Sequence, residues 1–238
     1  MNKPFLAASL LLTLAVGCTT FKTAVYEDNL SLPLGEERPD TLLFSISLEY
    51  VSKGPSAEVA DQMNSIILTQ ALDLEDGPGT IEEAAIRYRE NLIDEYLTEA
   101  DFTWEDHITG LFTDNYKEWK NYLLTYYNFR GGAHGLQTVS QIVFDARSGN
   151  ALTEADFLTG DYEKPLAALL QQAVCESMEK ESPELLELVQ REAIAPNGNF
   201  SVTADGMEWL FQPYEIGPYA LGIVTGMLSW EQLKPYLK

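Results

Sequence analysis

Apolar and polar positions alternate along residues 41–51, with Phe44, Ile46, Leu48 and Tyr50 recurring every second residue, and this predicts a first strand. Lys53-Gly54-Pro55 breaks it. The spacing then becomes helical: Val59, Met63, Ile66, Ile67 and Gln70 share one stripe, and Ser56 stands where an N-cap is needed. The Asp76-Gly77-Pro78-Gly79 run ends that segment. Thr80 and Glu83 have capping-box spacing ahead of a long helix that turns Ile81, Ala84, Ala85, Tyr88, Leu92 and Tyr96 inward. From residue 104 the pattern returns to β. Strands are predicted near 104–113, 118–129 and 136–144, giving an antiparallel meander, followed by a turn at 146–150 and a short Thr153-capped helical turn through Asp156 and Phe157.

Farther on, Lys164-Pro165 opens a helix with Leu166, Leu169, Leu170, Ala173 and Val174 on one face. Ser182-Pro183 opens a second helical segment. Residues 200–203 and 207–211 flank Ala204-Asp205-Gly206, a hairpin signal. A further strand over 221–228 and a Ser229-capped terminal helix complete the series. Residues 19–40 lack sustained periodicity and contain Pro33, Gly35, Pro39 and a charged run, so residues 18–40 read as a tether. Leu-Thr-Glu-Ala-Asp-Phe occurs twice, at 97–102 and 152–157. Nothing around the copies matches, so chance use of cap-friendly residues is the favoured reading.

The two aromatic and β-branched runs around residues 126–145 enclose Arg130-Gly131-Gly132-Ala133-His134-Gly135. This pattern predicts a β-hairpin with an enlarged glycine-rich loop. Paired glycines permit positive φ and close backbone approach. The loop is expected to display Arg130 and one of the chain's two histidines.

The N-terminus adds location. Met1-Asn2-Lys3 is a short basic region, and residues 5–16 are apolar but too few to span a bilayer as a mature helix. Leu14-Ala15-Val16-Gly17-Cys18 then resembles the lipobox of bacterial lipoproteins, with small residues before the thiol that takes a diacylglyceryl group. Residues 1–17 are thus expected to be a signal peptide and Cys18 the lipid attachment point. Acyl chains contributing roughly 0.8 kcal/mol per buried CH₂ hold such a protein on a membrane. Thr19 after Cys18 does not argue for inner-membrane retention, so the outer membrane is expected in a two-membrane cell.

Charge narrows the partners. The chain carries 15 Lys+Arg against 37 Asp+Glu, a net −22. Loss of residues 1–17 removes one cation, Lys3, leaving 14 against 37, or −23. Nucleic acid is disfavoured, because its phosphates demand a cationic surface, and basic partners are attracted. With Cys18 acylated, Cys175 is the only remaining thiol, so an internal disulfide is excluded. The core alone must hold the fold, and roughly 200 residues suffice for that, in one domain or two small ones.

His134 beside Arg130 is the best acid–base candidate, since histidine titrates near neutrality. Tyr214, Glu215 and Tyr219 join it if the two parts of the chain meet. No nucleophile elbow or metal-ligand spacing is present, His107 stands isolated in a predicted strand, and neither metal nor cofactor is expected. The four tryptophans, Trp104, Trp119, Trp209 and Trp230, are expected in the core.

The stretch from Tyr127 to Gly135 resembles the central motif of the domain at the extracytoplasmic C-terminus of RsiV-type anti-sigma factors. Residues 144–149 and 152–157 are similar to its strand-turn and helical-turn segments. Phe211-Gln212-Pro213-Tyr214-Glu215-Ile216-Gly217-Pro218-Tyr219-Ala220-Leu221-Gly222 resembles its second signature, and residues 230–237 its closing helix. The region before residue 126 is similar, more loosely, to the companion domain also found in PdaC-type peptidoglycan deacetylases. The resemblance implies an α/β (α+β) fold, mainly an antiparallel sheet with helices packed on it. It divides the chain into a companion region (41–125) and a C-terminal domain (126–238), or one compact unit over 41–238. In RsiV the domain is implied to bind lysozyme outside the cell. The sequence shows no transmembrane helix after the leader, no sigma-binding segment and no deacetylase domain.

Three readings stand. One is a membrane-anchored binding module for a protein such as lysozyme, or for peptidoglycan or another cell-wall glycan, with Arg130, Gly131, Gly132, His134, Tyr214, Glu215 and Tyr219 as binding candidates. The others are an envelope-polymer hydrolase using His134 and a structural envelope lipoprotein.

Overall fold

A computed structural model describes residues 21–35, 38–73 and 79–238. The expected leader, Cys18 and most of the 76–79 turn lie outside those residues. The fold is mixed α+β, with mostly antiparallel sheets. Among the described residues no helix is long and apolar enough to cross a membrane.

The first sheet has six strands in sequence order, β1 (Lys22–Gly35), β2 (Arg38–Lys53), β3 (Trp104–Tyr116), β4 (Trp119–Phe129), β5 (Leu136–Asp145) and β6 (Ala151–Leu152). The pair β2–β3 is parallel, from Leu42 opposite Trp104 to Leu48 opposite Gly110. A parallel pair needs a long crossover, and α1 (Ala57–Leu72) and α2 (Ile81–Glu99) occupy it. Both helices start at the expected caps. Ser56 accepts from the Val59 amide, and Thr80 and Glu83 form the reciprocal capping box. Leu42, Phe44, Ile46 and Leu48 of β2 are buried in the same core as Met63 and Ile67 of α1 and Leu92 and Tyr96 of α2.

The expected tether is corrected by β1, which pairs with β2 from Lys22–Lys53 to Gly35–Arg38. Its inward row is Tyr26, Asp28, Leu30, Leu32 and Leu34, a period of two interrupted by one acid. Arg89 of α2 pairs with Asp28 there, so a charge that breaks the pattern in sequence is neutralised in space. Pro33 lies on β1 at the sheet edge, the place in a sheet where proline is tolerated.

A second lobe packs α4 (Glu163–Glu181) on the antiparallel sheet β7 (Phe200–Val202), β8 (Gly206–Phe211) and β9 (Val224–Ser229). Leu166, Leu170 and Val174 of α4 are buried with Phe200, Trp209, Phe211 and Leu228. The turns α3 (Glu154–Phe157) and α5 (Trp230–Leu233) begin with Thr153/Asp156 and Ser229/Gln232 capping boxes. The segment after Ser182-Pro183 is a 3-10 helix, Pro183–Leu188, rather than a full helix. The last strand starts three residues later than expected, because residues 219–221 form a 3-10 turn and Gly222 turns with φ 65°.

The boundary expected at residue 126 falls inside β4, which is bonded on one side to β3 and on the other to β5. The cores divide farther on: Phe144 belongs to the first and its neighbour Val143 to the second. Side-chain amides join the lobes. Buried Asn121 of β4 accepts from the Val202 amide at 2.9 Å and donates to its carbonyl at 2.7 Å, and it also donates to the Asp114 carbonyl at 2.6 Å. On the outer edge of β5, Gln212 accepts from the Val139 amide and Asn199 from the Gln141 amide, while both donate to the Val139 carbonyl. A carboxamide offers a peptide's donor and acceptor together, so these residues replace a missing neighbour strand.

The two copies of the hexapeptide fold differently. The first straddles the end of α2, with Ala100 as C-cap, while the second forms the capped turn α3. Glu154 of the second copy accepts from the indole of buried Trp209 at 2.6 Å and from the Gly198 amide at 2.9 Å.

Candidate functional site

The loop at residues 130–135 joins β4 to β5 and forms the enlarged hairpin that its sequence predicts. Gly131 (φ 89°) and Gly132 (φ 99°) take conformations that L side chains avoid. Their surroundings differ. A Cβ on Gly131 would collide with the Phe102 ring, whereas one on Gly132 meets nothing within 4 Å.

Arg130 turns inward rather than being displayed. It bonds Asp106 through Nη2 at 2.6 Å, gives Nη1 to the Glu105 carbonyl at 3.0 Å and lies 4.5 Å from the centre of the Trp104 ring. Asp106 is 0% exposed and also accepts from Tyr88 at 3.0 Å and Tyr126 at 2.9 Å. Three donors satisfy this buried carboxylate, and removing one side of such a set is strongly destabilising. Burial pushes the Tyr88 and Tyr126 hydroxyls up, and the nearby Asp106 charge adds to it. Both phenols therefore stay protonated as donors. Arg130 thus ties the loop root to the sheet.

His134 sits on the exposed side. Its Nδ1 lies 2.9 Å from the Gly135 carbonyl, which only accepts, so Nδ1 carries the proton. The ring stacks on Tyr219, centroids 4.0 Å apart and planes 18° from parallel. Tyr219 donates its hydroxyl to the same carbonyl at 3.1 Å. Tyr214 reaches Nε2 of His134 at 3.5 Å and lies 5.6 Å from the Tyr219 ring. Its side chain is 59% exposed on a backbone at φ 73°, a conformation costly for a bulky residue. Glu215 faces its own turn, accepting from the Gln212 amide at 2.7 Å and from Asn197 at 2.8 Å.

The two parts of the chain do meet, in a shelf of His134, Tyr214 and Tyr219, with exposed Leu136 following the loop. Arg130 and Glu215 hold the frame. The shelf presents ring faces, a phenol and an imidazole on a fixed backbone, which suits docking of a partner surface. Residues missed at the sequence level are the partners beneath. Asp106 stands in the buried row Trp104, Asp106, Ile108 and Gly110, so a carboxylate in an inward register was a readable signal. His107 is not isolated: it bonds Ser45 at 2.7 Å and stacks on Tyr127. Among the described residues no three His, Cys, Asp or Glu side chains converge as a metal site.

These features define a two-lobed α+β protein with an aromatic shelf where a glycine loop of one lobe meets a tyrosine-rich turn of the other. Residues 155–231, about a third of the chain, match the family described as "Protein of unknown function (DUF3298)". No curated protein gives a significant match. A crystal structure of a DUF3298 family member from Bacteroides fragilis shares the fold with a TM-score of 0.84 and 21% identity, covering 92% of this chain and 94% of that one. A DUF3298 family protein from Pseudomonas aeruginosa matches with a TM-score of 0.68 and 18% identity, covering 92% and 95%.

Proposed function

We propose that this chain is an extracytoplasmic binding module, lipid-anchored at Cys18, that docks a basic protein of the lysozyme kind through the His134–Tyr214–Tyr219 shelf. The observation that carries this reading is the exposed aromatic stack, held on the Gly135 carbonyl and the strained Tyr214 backbone. Rigid aromatic side chains are the residues that dominate binding energy at protein interfaces. The net charge supports a basic partner by accelerating encounter, and the RsiV-type resemblance of both signatures supplies the first candidate. On this reading the anchor is short: four residues from Cys18 to Lys22 reach at most about 14 Å, so the fold rests close to the bilayer.

A hydrolase reading draws less support, because Nδ1 of His134 is held by a backbone carbonyl and Nε2 faces a phenol rather than a nucleophile–carboxylate pair. The test is calorimetric titration of the soluble 19–238 chain with lysozyme. Tyr214→Ala and Tyr219→Ala are each expected to weaken binding at least about tenfold, the loss typical of a hot-spot residue. Unchanged affinity in both variants would remove the shelf from the interface.

A further inference from the structure

At the other end of β4, ten residues and about 33 Å from the glycine loop, an open cleft of about 500 Å³ lies between the lobes. Its walls are Tyr116 at the end of β3, Trp119 at the start of β4 and Trp230 at the start of α5. The Tyr116 and Trp230 rings stack 5.8 Å apart at 27°, and Trp119 lies 5.7 Å from Tyr116 at 49° and 6.5 Å from Trp230 at 37°. All three are half-buried, unlike Trp209 in the core. The floor is firm. Trp230 donates its indole N–H to the Thr203 carbonyl at 3.1 Å, and buried Phe157 meets the Trp119 ring edge-on at 5.0 Å. The terminal segment is bonded to the same floor, from the Lys238 amide to the Phe157 carbonyl at 3.0 Å and from the Thr159 amide to the Tyr236 carbonyl at 2.8 Å.

At the rim Lys238 lies against the Asp156 carboxylate, which leaves Lys117 as the cation beside the rings. Lys117 holds its ammonium 4.8 Å from the Tyr116 ring centre and 5.4 Å from that of Trp119. It does so from a turn position at φ 55°, where glycine is the unstrained residue. The two-residue turn between paired Tyr116 and Trp119 sets this φ, and the side chain it carries holds its charge over two rings at the mouth of the cleft.

We propose that this cleft binds an anionic saccharide, a pyranose unit stacking its C–H face on Tyr116, Trp119 and Trp230 while its carboxylate meets Lys117. A pyranose is a disc with apolar faces and a polar edge, and the cleft offers flat apolar walls with polar groups only at the rim. The volume lies within the roughly 300–1,000 Å³ of small-ligand sites. Cation–π contact pre-positions the ammonium where a stacked ligand's acid group arrives. This site is separate from the shelf, so it stands whether or not a protein docks there.

The test is titration of the soluble 19–238 chain, followed by tryptophan fluorescence, with two probes: the carboxylate-bearing disaccharide of N-acetylglucosamine and N-acetylmuramic acid, and neutral N,N′-diacetylchitobiose. Trp104 and Trp209 are buried, so a ligand-induced change reports on Trp119 and Trp230. The acidic sugar is expected to bind about fivefold more tightly than the neutral one, the worth of one partly exposed charge pair. Lys117→Gly removes the ammonium at a position that suits glycine, so the variant should fold at least as well and bind both sugars alike. Tyr116→Ser should weaken both. Equal affinities for the two sugars in the unaltered chain would overturn the anionic assignment, as would a preference that survives Lys117→Gly. No response to either sugar up to about 10 mM, weaker than millimolar binding, would overturn the site.

Discussion

Gly131 and Gly132 are chemically identical neighbours in left-handed conformations, yet alanine should affect them unequally. At both positions a side chain meets backbone strain of about 1–2 kcal/mol. At Gly132 that is the whole effect, since the added carbon finds open space. At Gly131 the carbon collides with Phe102, and forcing an extra methyl into a packed contact adds about 1–3 kcal/mol. Gly131→Ala should therefore cost about 2–5 kcal/mol and Gly132→Ala about 1–2. Urea unfolding with unchanged slope measures both. Phe102→Ala, at a ring 43% exposed, should recover the steric part of the Gly131→Ala loss and leave the Gly132→Ala loss untouched. If the two glycine variants agree within about 0.5 kcal/mol, the limit of ordinary additivity, or if Phe102→Ala rescues neither, the account of the loop's packing is refuted.

Asn121→Ala strips partners from the Val202 amide and carbonyl and from the Asp114 carbonyl. The two Val202 groups are buried, and buried groups left unsatisfied cost about 1–3 kcal/mol each, while the Asp114 carbonyl belongs to an exposed residue and can turn to water, so a total loss of about 2–6 kcal/mol is expected by chemical denaturation. A loss below about 1 kcal/mol, the worth of one ordinary hydrogen bond, would mean the lobes are not joined by this amide. Glu208 of β8 has its carboxyl pushed up by burial, with a Thr225 hydrogen bond opposing. Its charged form is thus disfavoured in the folded state at neutral pH. Glu208→Gln should raise the melting temperature at pH 7, and the gain should vanish as pH falls below the unfolded carboxyl's value of about 4.3. A gain unchanged across that window would contradict the burial argument.

Much of this architecture is legible in the sequence where local and tertiary signals agree. The Ser56, Thr80, Thr153 and Ser229 caps, the β3–β5 meander and the glycine loop rest on short-range geometry that residues declare directly. The failures come where a distant partner changes a residue's meaning. Asp28 hides the alternation of β1 until Arg89 of α2 neutralises it. Arg130 has a free-looking charge in sequence, but Asp106, twenty-four residues earlier, draws it inside. Gln212, Asn199 and Asn121 appear as loop or strand polar residues, and only the docking of one lobe on the other makes them substitutes for strand backbone. In the shelf, the meeting of His134 with Tyr214 and Tyr219 was conditional on two distant motifs approaching, and no local pattern encodes that approach.

The central claim is tested most directly by comparing lysozyme with cytochrome c, an equally basic control, by calorimetry against the soluble 19–238 chain at low salt and at about 0.5 M, where screening falls to a few ångströms. A chain at −23 attracts both proteins at low salt. The account predicts that lysozyme alone retains binding at high salt, and that Tyr214→Ala abolishes the retained part. Equal behaviour of the two basic proteins, with both signals gone at high salt, would contradict it.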